Sequence, residues 1–394
     1  MSMTKSRYLE ASIHEDLPDK MVFVAGPRQV GKTTMAKNLL EGEKQGCYLN
    51  WDNRDHRRQI RQAAWPAGKA LVVLDELHKW RGWKGWIKGE FDVHSDRLRF
   101  LVTGSARLDV YRSGGDSLQG RYHHYRLHPF TFAEIERPEH SVCKLHADPE
   151  FDFTTDLPRA AIDALMQFGG FPEPFLAQSP RTLRRWQKER VDRVLLEDVR
   201  DLEEIRATSR IQVLADLLPE RVGSLLSLNS LREDLDASHR AVSHWMDILD
   251  RLYYSFRILP WTATRVRSLK RMPKLYLWDW SEVQNPGARF ENLVAVHLLK
   301  FCHFIEDREG HRVELRYLRD RAGHEIDFLI TLEGKPWFAV ETKLRAERID
   351  PSFRYFGDRL DIPRRYQLVF DGKRNALIEG VHILPAHVFL SALA

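Results

Sequence analysis

Cysteine is scarce in this chain. Three occur among 394 residues, Cys47, Cys143 and Cys302, too widely separated for a metal knuckle and odd in number for a disulfide framework, so all three read as buried thiols. Long apolar runs are also missing. Stretches such as Met21-Val22-Phe23-Val24-Ala25 fall well short of the ~20 residues a spanning helix requires, which excludes a transmembrane helix. Between Met1 and Lys20 the charges of Lys5, Arg7, Glu10, Glu15 and Asp16 leave no apolar core. No secretion signal is read there, and a cytoplasmic protein without a membrane partner is expected. Internal repeats and low-complexity segments are absent. So is a dominant charge: 61 Lys and Arg against 56 Asp and Glu leave a net +5, and clustering rather than total charge must indicate a partner.

What is present is material for packed cores: 43% hydrophobic residues with 11 Trp, beside 30% charged residues for a soluble exterior. The length suggests two or three domains at about 150 residues each. From Met21 to about Phe130 the apolar runs Met21–Ala25, Cys47–Trp51, Ala70–Asp75 and Leu98–Thr103 alternate with charged amphipathic stretches. That is the βαβ rhythm of an α/β sheet. Helical periodicity dominates from Phe132 to about Leu252. Beyond Met272-Pro273 one long apolar helix, Ala288 to Phe301, precedes strands divided by Gly323, Glu333-Gly334-Lys335 and Asp371-Gly372, which reads as a second α/β or α+β domain.

The segment Gly26-Pro27-Arg28-Gln29-Val30-Gly31-Lys32-Thr33 fits the Walker A pattern, with a buried strand leading in and an amphipathic helix, Lys32 to Leu40, leading out. Its glycines let backbone N–H groups turn inward around phosphates at a helix N-terminus. Lys32 then neutralises the β/γ oxygens and Thr33 offers its hydroxyl to Mg²⁺, with Thr34 following it in the same loop. The run Leu71-Val72-Val73-Leu74 ends in Asp75-Glu76. Buried carboxylates need a compensating cation, which places Asp75 at Mg²⁺ and Glu76 near the attacking water as a base. A further strand ends in Thr103-Gly104-Ser105, where a hydroxyl either touches the γ-phosphate or the water, or caps a helix.

Together these residues resemble AAA+-type P-loop ATPases, in particular a bacterial and archaeal family in which such a module is fused to an uncharacterised region with winged-helix and restriction-endonuclease-like parts. Further matching stretches are Gly120-Arg121, Pro129-Phe130-Thr131-Phe132-Ala133-Glu134 and Gly169-Gly170-Phe171-Pro172-Glu173. The resemblance covers nearly the whole chain. It implies a parallel sheet in the order 5-1-4-3-2, a sensor role for Ser105, and ATP and Mg²⁺ held by Gly26, Pro27, Arg28, Gln29, Val30, Gly31, Lys32, Thr33 and Thr34. Arg121 lies where the family class carries an arginine finger acting across a subunit boundary, which implies a homo-oligomer; the other reading is a surface Arg in a run already holding Arg107, Arg112 and Arg126. No second sensor arginine is placed.

Ser230-Leu231-Arg232-Glu233 fits a capping box opening a short helix to Leu235. After the turn Asp236-Ala237-Ser238, a helix from His239 to Leu252 presents Val242, Trp245, Met246, Leu249 and Leu252 on one face, and Tyr253 to Leu259 reads as a strand. This is a winged-helix pattern. Arg240, Ser243 and His244 are the candidates for DNA contact, while Asp247 and Asp250 oppose deep phosphate contact; protein docking is the other use of such a module. Arg265, Arg267, Lys270, Arg271 and Lys274 then form a basic run, suited to phosphates or simply solvated.

Strand-like alternation through Gly323-His324-Glu325-Ile326-Asp327-Phe328-Leu329-Ile330, a turn at Glu333-Gly334-Lys335, and a return through Trp337 to Lys343 read as an antiparallel hairpin. A turn centred on Gly334 sets Asp327 opposite Glu341 and Glu325 opposite Lys343. Facing carboxylates repel unless a cation lies between them, and a divalent metal would supply it. The pattern resembles the restriction-endonuclease-like nuclease core, with Glu291 at the helix position. That resemblance assigns Asp327, Glu341 and Glu291 to Mg²⁺ or Mn²⁺ and Lys343 to orienting water or stabilising phosphate charge.

The expected organisation is an ATPase segment over 1–130, a helical lid or linker over 131–205, a winged-helix-like segment over 206–272 and a nuclease-like α/β segment over 273–394. Two functions follow. One is an ATP-hydrolysing ATPase coupled to a DNA-binding, metal-dependent nuclease-like domain. The other is a nucleotide-switched regulatory protein whose nuclease-like domain only binds a partner. A nucleoside kinase lacks an identifiable acceptor site.

Overall fold

The computed structural model describes residues 6–104, 118–136, 151–153, 157–193, 205–262, 272–345 and 348–393. Ser105, Arg107, Arg112, Cys143, Arg265, Arg267, Lys270 and Arg271 lie outside the described residues. The chain divides into two compact units, Met1–Pro129 and Phe130–Ala394. Among the described residues no helix is long and apolar enough to cross a membrane.

The first unit is built on β1 (Met21–Ala25), β2 (Gly46–Asn50), β3 (Ala70–Asp75), β4 (Leu98–Thr103) and β5 (Tyr122–Arg126). They form one sheet in the order β2-β3-β4-β1-β5, parallel throughout. This is the order the resemblance implies. β1 and β3 are buried at every position, as strands covered on both faces must be. Phe23, Leu74, Phe100, Trp83 and Ile87 lie at the centre of the core, with the Trp83 ring edge-on to Phe23 at 5.7 Å. Because all strands run one way, their carboxyl ends meet at one edge. There Asn50 pairs with Asp75, and Asp75 with Thr103. Cys47 is half-buried and Cys302 buried, so the expectation of a buried thiol at 47 is corrected: it stands on the outermost strand, β2.

In the second unit the helix Leu228–Asp234 is capped by Ser227, whose side chain accepts from the Ser230 amide. The expected box at Ser230 is therefore displaced by three residues, because Ser227 has the extended backbone an N-cap needs and Ser230 is already helical. The helix His239–Arg251 is capped by Ser238 and buries Val242, Trp245, Met246, Ile248 and Leu249. β6 (Ser255–Ile258) follows and pairs antiparallel with β7 (Lys274–Leu277).

A long helix, Pro286–Glu309, opens at the Asn285 cap and ends at Gly310. The six-stranded mixed sheet beyond it consists of β8 (Val313–Arg319), β9 (Glu325–Leu332), β10 (Lys335–Lys343), β11 (Arg364–Val369), β12 (Ala376–Ile378) and β13 (Val381–Pro385). Its order is β12-β13-β11-β10-β9-β8.

Two stretches quoted for the resemblance hold this second unit together. Lys300 on the long helix donates to Thr131 Oγ1 at 2.7 Å and to the Glu134 carboxylate at 3.2 Å, all three side chains buried. Gly170 accepts from the Phe130 amide at 2.7 Å. Gly169 has φ +76° and stands so close to Asp279 that an added Cβ would lie 2.7 Å from Oδ1, so a side chain there is excluded on two grounds.

Candidate functional site

At the carboxyl edge of the first sheet, β1 runs into Gly26 (φ +154°) and the chain reaches the helix Lys32–Glu41 through Gly31 (φ +101°). A Cβ on Gly26 would meet the Leu127 carbonyl oxygen at 2.4 Å. Backbone against backbone cannot give way, so only glycine fits. The buried Lys32 ammonium donates to the carbonyls of Gly26 (2.9 Å) and Pro27 (2.6 Å), which holds it inside the loop.

Asp75 is the centre of the site. Its Oδ2 accepts from the Thr33 hydroxyl at 2.9 Å and from the Tyr48 hydroxyl at 2.6 Å, and its Oδ1 from Thr103 at 2.6 Å. Asn50 Nδ2 stands 3.4 Å from Oδ2. Burial, and then the bond to Asp75, push the Tyr48 phenol up to about 12, so it remains a donor. Glu76 follows with φ +57° and ψ +23°, a left-handed conformation that is strained for a residue with a side chain. Burial raises the pKa of its carboxyl, and Lys79 lies 3.3 Å from it.

Arg7 was not singled out by sequence reasoning. It is buried, and its guanidinium donates to the carbonyls of Val30 (2.6 Å), inside the loop, and His128 (2.6 Å). No local pattern marks it. Arg121 precedes β5, whose first residue pairs with the first residue of β1, so it stands at the sheet edge opposite the phosphate loop. It is joined to Asp92 through Nε at 2.6 Å and Nη2 at 3.1 Å.

The glycine-walled loop, the Lys32 ammonium and the paired Thr33 and Asp75 oxygens fit a magnesium nucleotide. The backbone of 26–34 would hold the phosphates, and Thr33 with Asp75 the ion.

A second cluster occupies the second unit. Glu291, Asp327, Glu341 and Lys343 line one cavity of about 800 Å³ with Thr342, Arg345 and Asp371. The hairpin turn is the residue pair Glu333-Gly334, both with positive φ, the geometry of a type I′ turn. It opens the ladder with Lys335 opposite Leu332, a register that would carry Asp327 to Val340. A one-residue shift between Pro336 and Phe338 then sets Val340 opposite Phe328, bringing Asp327 to Glu341. The Asp327 amide donates to Glu341 Oε2 at 3.0 Å.

The same shifted register sets Glu325 level with Lys343, but the two side chains take other partners. Glu325 pairs with Arg319, opposite it on β8, and, at 2.5 Å, with Lys274. Lys343 instead reaches Glu341 at 2.8 Å and Asp350 at 3.0 Å. Lys274, expected in a phosphate-binding or solvated run, is buried: pairing of β7 with β6 turns it inward, 3.0 Å from Glu291 and 3.4 Å from Asp327.

Burial alone would lower the Lys274 ammonium, but Asp327, Glu291 and Glu325 together hold it above its ordinary value. Burial, and then Asp327, push Glu291 up to about 7 and raise Glu341 as well. Among the described residues no group of three or more His, Cys, Asp and Glu is arranged to hold a metal ion. Arg240 and His244 on the helix His239–Arg251 are exposed and Ser243 is half-buried, while Asp247 and Asp250 are tied to Arg257 at 2.6 Å each.

Residues 18–136 match the family described as AAA domain, 159–283 a domain of unknown function, DUF8612, and 286–389 another, DUF4143. An uncharacterised protein of Mycobacterium tuberculosis is 23% identical over 389 residues, covering 94% of this chain and 81% of that protein. An uncharacterised protein of Methanocaldococcus jannaschii is 23% identical over 354 residues, covering 82% and 75%. Among solved structures, the Walker-type ATPase PABY2304 of Pyrococcus abyssi is 14% identical with a TM-score of 0.41, covering 74% of this chain and 99% of that one. Residues 18–136 are an AAA-type P-loop ATPase region.

Proposed function

We propose that the chain binds and hydrolyses Mg-ATP at the carboxyl edge of its first sheet and that the nucleotide cycle controls the segment beyond residue 130. The observation that carries the first half is Asp75, which holds the Thr33 hydroxyl on one oxygen and Thr103 on the other beside the phosphate loop. Thr33 and Asp75 would hold Mg²⁺ there, and the ion would supply positive charge against the charge developing on the phosphates. Lys32 binds phosphate oxygens, Asp75 and Thr33 offer their oxygens to the ion, and Glu76, its carboxyl raised by burial, accepts the proton of the attacking water. Arg121 is the candidate finger in a homo-oligomer and would exchange its Asp92 partner for a neighbour's phosphate. ATP turnover by the native chain, lost in Lys32→Ala, is the test; a folded chain that turns over no ATP refutes it.

For the second half, DNA binding is supported by the exposed Arg240 and His244, and the nuclease-like reading by Asp327, Glu341, Glu291 and Lys343 sharing one cavity. The regulatory reading, in which this segment binds without cutting, is favoured by the Lys274 ammonium among those carboxylates. The geometry supports it better. Labelled DNA incubated with Mg²⁺ or Mn²⁺, with and without ATP, should be retained but not cleaved, and cleavage lost in Glu341→Ala would restore the nuclease reading.

A further inference from the structure

We infer that the Lys274 ammonium is the resident counter-ion of the C-terminal carboxylate cluster, already paired with Glu291 and Asp327, two of the three carboxylates a divalent metal would need there, so that the native cluster binds no such metal. The lysine side chain is 2% exposed and is approached by three carboxylates: Glu325 at 2.5 Å, Glu291 at 3.0 Å and Asp327 at 3.4 Å. A buried ammonium is tolerated only when paired in this way. Having it there serves the carboxylates equally, since facing acids would otherwise repel.

The oxygens themselves are directed at protein donors. Asp327 Oδ2 accepts from the Thr342 amide at 3.0 Å and its hydroxyl at 2.7 Å. Glu341 accepts from the Asp327 amide on Oε2 and from Lys343 on Oε1. Glu291 Oε1 takes the Tyr276 hydroxyl at 2.6 Å besides Lys274. Hard divalent cations need several oxygens converging on one point at about 2.0–2.6 Å, and here Asp327 Oδ1 and Oδ2, both Glu341 oxygens and Glu291 Oε1 already accept hydrogen bonds from protein donors. A dication would also meet the charge of the buried ammonium at close range, and the two would repel. The strand pairing of β7 with β6 fixes the lysine's backbone, and its ammonium lies 5.8 Å from the centre of the Tyr317 ring besides its three carboxylates.

The inference concerns this cluster alone and stands whether or not residues 18–136 hydrolyse ATP. It is tested on the full chain without nucleotide, by calorimetric titration with Mn²⁺. The native chain and Asp327→Asn should behave alike. Lys274→Met, which keeps the chain length and removes the charge, should gain one Mn²⁺ per chain at least tenfold tighter than any native uptake, and Lys274→Met with Asp327→Asn should lose it again. Native Mn²⁺ uptake abolished by Asp327→Asn overturns the inference, as does a folded Lys274→Met that gains nothing. Should Lys274→Met not fold, Lys274→Gln takes its place, and the comparison of native chain with Asp327→Asn decides by itself: no difference sustains the inference and a lost binding event refutes it.

Discussion

His297 Nε2 accepts the backbone N–H of Phe132 at 3.0 Å, which leaves its Nδ1 to donate to the Leu293 carbonyl at 2.8 Å. One ring thus joins the start of the helix Phe132–Glu136 to the long helix Pro286–Glu309, and it can do so only while neutral. Burial pushes its pKa down to about 3, whereas an exposed histidine titrates near 6.5. Between those values the unfolded chain binds a proton that the folded chain does not. Stability therefore falls as pH drops from about 6.5, by roughly 3 kcal/mol at pH 4 if the full shift is realised. Urea unfolding at pH 7 and pH 4.5 checks this: His297→Asn, which does not titrate, should lose less stability over that interval than the native chain.

Arg7 ties the N-terminal segment to the phosphate loop, and removing it should be felt by the nucleotide. Arg7→Ala leaves the Val30 and His128 carbonyls without these charged donors, a loss of roughly 1.5–3 kcal/mol per bond. The expected result is a lower melting temperature together with ADP binding weakened at least fivefold. Arg7→Lys should not restore affinity, because a single ammonium does not reproduce the two-pronged fork. Unchanged ADP affinity in a destabilised Arg7→Ala chain would confine the residue to a structural role.

The phosphate loop is legible in the sequence because its chemistry requires contiguous residues. The shell around Asp75 is not: Tyr48, Asn50 and Thr103 reach it through the register of neighbouring parallel strands, which no local spacing records. Arg7 is hidden for the same reason, its two acceptors lying 23 and 121 residues away. Lys274 misleads because composition places it in a basic run, while pairing of β7 with β6 turns it into the interior. In the hairpin the turn is readable from Glu333-Gly334, but the shift after Pro336 is not. That irregularity alone decides which residue Asp327 faces.

Thr33→Val and Asp75→Asn should separate binding from turnover. Both keep the shape of the loop, where nucleotide is held by backbone N–H groups and Lys32. Each loses a ligand for the ion that offsets charge developing on the phosphates. ATP hydrolysis should fall by about a hundredfold or more, equivalent to roughly 2.7 kcal/mol of barrier, with ADP affinity in the absence of Mg²⁺ changed less than threefold. Measuring both quantities on the same preparation checks it, and equal losses in binding and turnover would show that these side chains shape the loop instead.

Gly26→Ala is the most local test of the loop. The added methyl would sit 2.4 Å from the Leu127 carbonyl oxygen, which is backbone, at φ +154°. β1 and β5 pair in register up to Ala25 and Arg126, and Leu127 donates back to Ala25 at 2.8 Å, so neither strand end can retreat without breaking sheet hydrogen bonds. Relief must come from the loop side, displacing the carbonyl of residue 26 that holds Lys32. A destabilisation of about 1–3 kcal/mol is expected for overpacking of this kind, together with loss of nucleotide binding larger than Arg7→Ala produces. Gly42→Ala is the internal control: its Cβ would meet nothing nearer than 3.6 Å, and both melting temperature and ADP affinity should stay close to native.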